Sequence, residues 1–142
     1  MKLFFFVTKK GLFITLALLL VVFTTASRAV SLKINEIDGS TFEKRLFYIN
    51  SLGYSVEENT VTAKETVIPA DFGDIYNNYN EIQQKGGFDL SRFKGERVTV
   101  YTYNLSKSEK KLNLIVYNGK IIGGDICDIS LNGEMKPLSK HE

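Results

Sequence analysis

Residues 112–131 read LNLIVYNGKIIGGDICDISL, and the fold turns on this stretch. Asn118-Gly119 stands between two apolar runs. Both residue types tolerate the positive φ that a two-residue hairpin turn demands. Leu112–Tyr117 and Lys120–Leu131 are therefore predicted to be paired antiparallel strands, with Leu112, Leu114 and Val116 alternating onto one face. Counted outward from the turn, Val116 faces Ile121 and Leu114 faces Gly123. Gly123-Gly124 in mid-strand points to a bulge or to a helix packed very close. Just upstream, Arg97–Leu105 (RVTVYTYNL) is rich in β-branched and aromatic residues and makes a third strand.

The residues before this block alternate between helix and strand signals. Ser40-Thr41-Phe42-Glu43 has the pattern of a capping box, in which Ser40 accepts from the Glu43 amide and Glu43 reaches back. Phe42, Leu46, Ile49 and Leu52 follow at helical spacing, and Gly53 stops the helix. Tyr54–Glu57 is expected to be extended, Glu57-Glu58-Asn59 to turn, and Val61–Ile68 to be a strand ended by Pro69. Asp71 is the expected cap of a second helix, and Asp74 suits its positive end. Its apolar face is expected to hold Phe72, Ile75, Tyr76, Tyr79 and Ile82, with Asn77, Asn78, Asn80, Glu81 and Gln84 opposite. Lys85-Gly86-Gly87 ends it, and Phe88, Leu90 and Phe93 are placed to plug the end of the core.

The order is α-β-β-α-β-β-β. The expected class is α+β, with two amphipathic helices packed on one face of a mostly antiparallel sheet of about four or five strands, preceded by an N-terminal hydrophobic leader helix. The last three strands leave no room for intervening helices, which excludes a parallel α/β arrangement. The expected domains are a leader at 1–30, a linker at 31–39, a folded domain at 40–135 and a flexible tail at 136–142.

The leader bears on compartment. Lys2, Lys9 and Lys10 precede an uncharged run from Gly11 to Ala26, and Arg28 closes it. Sixteen residues is short for a spanning helix, which needs about 20, and long for a signal-peptide core of roughly 7–15. Two readings stand. In one, residues 11–26 remain as a signal anchor in the membrane, lengthened by Phe4–Val7. In the other, a signal peptide is cleaved after Ala26 or Ala29. Three lysines before the run and one arginine after it place the C-terminal part outside the cell in either case. The expected localisation is the cell membrane with an extracytoplasmic domain, or secretion after cleavage.

Removing the leader also changes the charge argument. Lys2, Lys9, Lys10 and Arg28 account for four of the 18 basic residues, so the remainder carries 14 against 16 acidic ones. Lys107, Lys110 and Lys111 form its one basic cluster, and Glu109 interrupts it. That excludes nucleic acid as an expected partner and leaves the cluster as a solvated turn. About 110 residues remain after Val30, enough for one domain.

No set of residues carries an obvious chemistry. His141, the one histidine, lies next to the C-terminus, where a catalytic base would not be held. Zinc sites need several Cys or His ligands, and Cys127 is the one cysteine. Alternation places Cys127 with Ile121 and Ile129 as a buried apolar residue, absent a bulge. Asp125 and Asp128 beside it make a poor setting for a thiolate. Those two and Asp71 and Asp74 match no calcium-loop spacing, and Gly123-Gly124 lacks the ending of a phosphate loop. Accordingly no catalytic residue, metal ligand or cofactor is expected. Tyr101 and Tyr103 share one strand face, and Tyr117 is expected to join them across the sheet as an exposed aromatic partner surface.

Several strings taken together carry a resemblance. They are Asn50-Ser51-Leu52-Gly53-Tyr54, Val67-Ile68-Pro69 leading to Phe72, Tyr79-Asn80 and Gly87-Phe88-Asp89-Leu90-Ser91. Lys94-Gly95, Tyr101-Thr102-Tyr103 and the run from Val116 to Asp125 complete them. In order and spacing the chain resembles the domain-of-unknown-function family 4830, over roughly Thr41 to Gly133. The resemblance implies a single-pass or secreted protein of a Gram-positive, largely clostridial bacterium. The family has no assigned activity, so no site residue is carried over. Between Ser106 and Lys111 the chain is shorter than members of the family.

The leading functional expectation is a non-enzymatic extracytoplasmic module that binds a protein or a cell-envelope component. One alternative is a small envelope hydrolase using carboxylates such as Glu96, Asp125 or Asp128. Another is a secreted inhibitor presenting the loop Ser106–Lys111.

Overall fold

The computed structural model describes residues 36–129 and 133–140. The expected leader and the first part of the expected linker lie outside the described residues, as do positions 130–132 and 141–142. No helix of the described residues is long and apolar enough to cross a membrane.

The elements in chain order are β1 (Ile37–Asp38), α1 (Phe42–Ser51), a 3-10 turn (Glu58–Thr60), β2 (Thr62–Val67) and α2 (Asp74–Lys85). A second 3-10 turn (Leu90–Phe93), β3 (Arg97–Asn104), β4 (Lys110–Tyr117), β5 (Lys120–Asp128) and β6 (Met135–Pro137) follow. The six strands form one sheet in the order β1-β5-β4-β3-β2, with β6 also on β5, and every pairing is antiparallel. The α+β class and the two helices stand as the sequence analysis has them. The linker and tail boundaries do not. Ile37 and Asp38 already pair with Ile121 and Lys120. At the other end, β6 runs to Pro137 and Leu138 is 1% exposed, so the core extends past residue 135.

The helices also differ from expectation in placement: they lie on opposite faces of the sheet. Alternate strand residues project to opposite sides. Tyr103, Leu112, Leu114, Val116, Ile121 and Ile126 project to one side and pack with Ile49 of α1. Val98, Ile115 and Ile122 project to the other and pack with Leu90, Phe72 and the α2 residues Tyr76 and Tyr79. Burial at both parities forces cover on both sides, because an uncovered apolar face would stay in water at about 25 cal/mol per Å².

The β4–β5 turn is as read. Asn118 and Gly119 have φ of 46° and 76°, and Val116 faces Ile121. Beyond that point the register departs from expectation. Ile115 pairs with Gly123 and Leu114 with Gly124, which makes Ile122 an extra, bulged residue. The bulge lets Ile121 fill the α1 side while Ile122 fills the α2 side. It also moves Cys127 to the α2 side, away from Ile121.

The apolar stripe on α1 is confirmed. Ile49 is fully buried, with Phe42, Leu46 and Leu52 packed against the same cluster. Its cap sits one residue later than expected: Thr41 accepts from the Lys44 amide at 3.4 Å. Ser40 is held by Asp38, whose Oδ1 accepts from the Ser40 amide at 3.0 Å and hydroxyl at 2.7 Å. Gly53, at φ 87°, ends the helix as expected. The stretch after it forms only one bridge, Val56 with Leu105, rather than a strand.

The second helix is capped by Gly73, not Asp71, and is rotated from its expected position. Ile75 is 88% exposed, whereas Asn80 and Gln83 are buried. The reason is hydrogen bonding. Asn80 Oδ1 accepts from the Leu90 amide at 2.8 Å, and Gln83 Oε1 accepts from the Gly124 amide at 2.8 Å. A buried amide left without an acceptor costs about 1–3 kcal/mol, which outweighs half-burying one isoleucine.

Candidate functional site

The sequence singled out three tyrosines, and the structure separates them. Tyr103 is fully buried beneath α1. Arg45, itself 7% exposed, donates from Nε to the Tyr103 hydroxyl at 3.0 Å and from Nη1 to the Gly39 carbonyl at 2.9 Å. The Arg45 guanidinium lies 3.6 Å from the centre of the half-buried Tyr101 ring. Tyr117 projects from the other face, where its ring meets Phe93 and its hydroxyl donates to Glu96 at 2.9 Å. Position 117 has the opposite strand parity to the partners of Tyr101 and Tyr103, which are Leu114 and Leu112. The three therefore make no common exposed patch.

Arg45 is a packing device: a planar cation set between a phenol, a carbonyl and an aromatic face. Arg45→Lys retains the charge but not the planar fork. The expected result is a loss of about 1–2 kcal/mol in urea unfolding; an unchanged midpoint would show that the fork does not matter.

A second polar group lies under α2. The Asp125 carboxylate is 1% exposed. It accepts from Asn113 Nδ2 at 2.8 Å and from the Tyr79 hydroxyl at 2.8 Å. Thr102 Oγ1 donates to Asn113 Oδ1 at 2.7 Å, and the Cys127 sulfur lies 3.6 Å from Asn113 Nδ2. Burial pushes the Asp125 carboxyl above its ordinary range, against the pull of the two hydrogen bonds. Burial first, and then the Asp125 charge, push the Tyr79 phenol far upward. A perturbed carboxylate is a common mark of catalysis, but this one is closed off from solvent and joins α2 to the centre of the sheet. Glu96 is bound to Tyr117 and shares no hydrogen bond with Asp125. Among the described residues, no three His, Cys, Asp or Glu side chains are grouped to hold a metal ion.

A concave surface lies at the far end of the sheet from the Asn118-Gly119 turn. It is a cleft of about 820 Å³. Lys107 lines it from the β3–β4 connection, Lys110 from the start of β4, Lys136 from β6 and Lys140 from the segment after it. Ser55, Ser106, Ser108 and Ser139 supply hydroxyls, and Tyr54, Leu105 and Ile126 form apolar wall. No Asp or Glu lines it among the described residues. Lys136 Nζ has Glu134 at 3.3 Å, outside the lining. The amide of Ser106 donates to the Ser55 carbonyl at 2.9 Å, tying the β3–β4 connection to the loop after α1. Lys107 holds φ at 60°, a left-handed conformation that disfavours lysine. Sequence reasoning finds Lys107 and Lys110 but takes them for a solvated turn. Lys136 and Lys140 lie about thirty residues further on, and the one available signal is that the C-terminal residues MKPLSK combine lysines with a core leucine.

Among known proteins, the comparisons give a family and nothing else. No curated protein and no solved structure matches the chain. A family model described as a domain of unknown function (DUF4830) matches residues 46–126, more than half of the chain, from α1 to β5. That segment contains one core cluster whole, the buried residues of the other except Leu138, and the cleft lining as far as Ile126, and so the chain belongs to the DUF4830 family.

Proposed function

We propose that this chain is an extracytoplasmic binding module, tethered by residues 11–26 or released after cleavage, that acts by holding an anionic ligand rather than by catalysis. The observation that carries this reading is the cleft of about 820 Å³ lined by four lysines and, among the described residues, no acid. Clefts of this size are typical of ligand sites, and walls of one charge sign focus the field on an oppositely charged partner. Two of the three carboxylates that sequence reasoning offered for catalysis, Asp125 and Glu96, have other tasks. Asp125 is buried in a hydrogen-bonded network, and Glu96 accepts from Tyr117. The charge asymmetry around residues 11–26 supports an exported domain.

The test is topological and functional together. A membrane-impermeant amine reagent applied to intact cells is expected to modify Lys107 and Lys140. Isolated envelope material is expected to retain the full-length protein. Protection of both lysines until lysis, or no retention on envelope material, would overturn the reading.

A further inference from the structure

We infer that the lysine cleft takes a phosphate-bearing ligand with at least two negative charges, an inference that rests on the binding-module reading above. The charge count comes first. Four lysines line one surface; Glu134 beside Lys136 and Asp128, directly across the β4–β5 pair from Lys110, offset two of them and leave Lys107 and Lys140. A singly charged ligand would leave one of that pair unbalanced. The donor chemistry comes second. Among the described residues the lining holds lysine and serine but no arginine. The guanidinium fork meets a carboxylate or a phosphate with two parallel bonds, whereas lysine binds phosphate as a point charge. Ammonium groups and hydroxyls are point donors. Arriving from the β3–β4 connection, the loop after α1 and the C-terminal segment, they can meet tetrahedral oxygens that point in different directions. Ser108 shows one such donor: its oxygen already accepts from the Lys110 amide at 3.2 Å, so its proton is directed elsewhere.

Size and wall chemistry extend the argument. A single phosphate would fill a small part of about 820 Å³, so the site has room for two or more linked units. The apolar wall of Tyr54, Leu105 and Ile126 faces the carbon portion of such a ligand. The ligand class is therefore an organic phosphate or a short run of a phosphodiester-linked chain.

The experiment uses the full-length chain in detergent micelles and titrates pyrophosphate, with tricarballylate as a carboxylate probe of similar charge. Pyrophosphate is expected to bind more tightly than tricarballylate and to weaken as salt is raised. The double variant Lys107→Ser/Lys140→Ser is expected to weaken pyrophosphate binding at least about tenfold. Lys64→Ser, on the opposite edge strand β2, is expected to leave it unchanged. Both cleft lysines are exposed, so the double variant is expected to keep the wild-type melting temperature. Vesicles of phosphatidylglycerol separate the sources. Vesicle binding lost with the same pair of lysines assigns the phosphate to a lipid headgroup, and indifference to vesicles assigns it to a soluble or polymeric phosphate. Absence of pyrophosphate binding, equal binding by the double variant, or equal affinity for tricarballylate would overturn the inference. Pyrophosphate binding by a protein whose lysines are protected in intact cells would sink the extracytoplasmic reading and leave the site standing.

Discussion

Asp125→Ala is expected to destabilise the folded domain by about 3 kcal/mol, while Asp125→Asn at neutral pH is expected to match or exceed the wild type. Alanine strands two buried donors, Asn113 Nδ2 and the Tyr79 hydroxyl, each worth about 1–3 kcal/mol when left without a partner. Removing the buried charge returns part of that. Asparagine retains one acceptor for Asn113 and turns its amide toward the Tyr79 oxygen, with no charge to bury. The pH dependence follows from the direction of the shift. Burial raises the Asp125 carboxyl above its ordinary value of 3.8. The folded state therefore holds this proton more tightly than the unfolded chain does. The resulting stabilisation is fully present below pH 3.8 and is lost as pH rises through the folded-state value. Asp38 and Asp89 are shifted the other way, by hydrogen bonds from Lys44 and from Ser91 and Asn80 respectively, and they oppose this trend in the whole-protein curve. The difference between wild type and Asp125→Asn cancels their contribution. Urea unfolding of the two between pH 4 and 8 is expected to show that difference shifting in favour of asparagine as pH rises. A difference that is flat with pH would mean the carboxylate is not buried as described.

Gly124→Ala is expected to cost about 3 kcal/mol, near the upper end for overpacking a core. The reason is space, not backbone freedom. A Cβ at this position would sit 2.6 Å from Leu138 Cδ2 and 2.8 Å from the Asn113 carbonyl oxygen. A side-chain methyl can swing away, but the carbonyl belongs to the neighbouring strand and cannot. Leu138→Ala would remove only the first obstruction, so the double variant is expected to remain less stable than Leu138→Ala alone. Gly73→Ala is the control, since nothing lies within 4 Å of its added carbon. Replacing glycine with alanine at that α2 cap is expected to change stability by less than about 1 kcal/mol, since alanine caps less well than glycine but loses less backbone entropy on folding. Thermal unfolding of the set tests the order, and an equal effect at positions 73 and 124 would refute it.

Part of this fold is legible from neighbouring residues. The Asn118-Gly119 turn, the α1 stripe from Phe42 to Leu52, the stop at Gly53 and the strands on either side of the turn all depend on residues within one or two turns of chain. The mid-strand glycines point to a bulge or a close approach, and both are present: the bulge at Ile122, and Gln83 Oε1 within 2.8 Å of where a Gly123 side chain would begin. The two-faced burial of the sheet also leaves a trace. Ile115 interrupts the alternation of Leu114 and Val116, and Ile121-Ile122 are consecutive apolar residues, a pattern of strands buried on both sides. Taken as simple alternation, it puts both helices on one face.

Tyr101, Tyr103 and Tyr117 show where local reading stops. Their spacing is compatible with one patch or with two faces, and strand pairing decides between these. Strand parity puts Tyr117 opposite the other two, and Arg45 from α1 covers the pair that remains. The cleft is a stronger case, because its lysines come from positions 107, 110, 136 and 140. They meet only after β6 has paired with β5.

Order along the chain was thus enough for the α+β class, the hairpin and the family, since turns and the α1 apolar stripe are interactions between close neighbours. Which side each helix covers, how α2 is rotated and where positive charge gathers depended on assembly. Those outcomes follow from which buried amides still need an acceptor, at Leu90 and Gly124, and from which distant segments share a sheet edge. Neither condition exists until the strands have met.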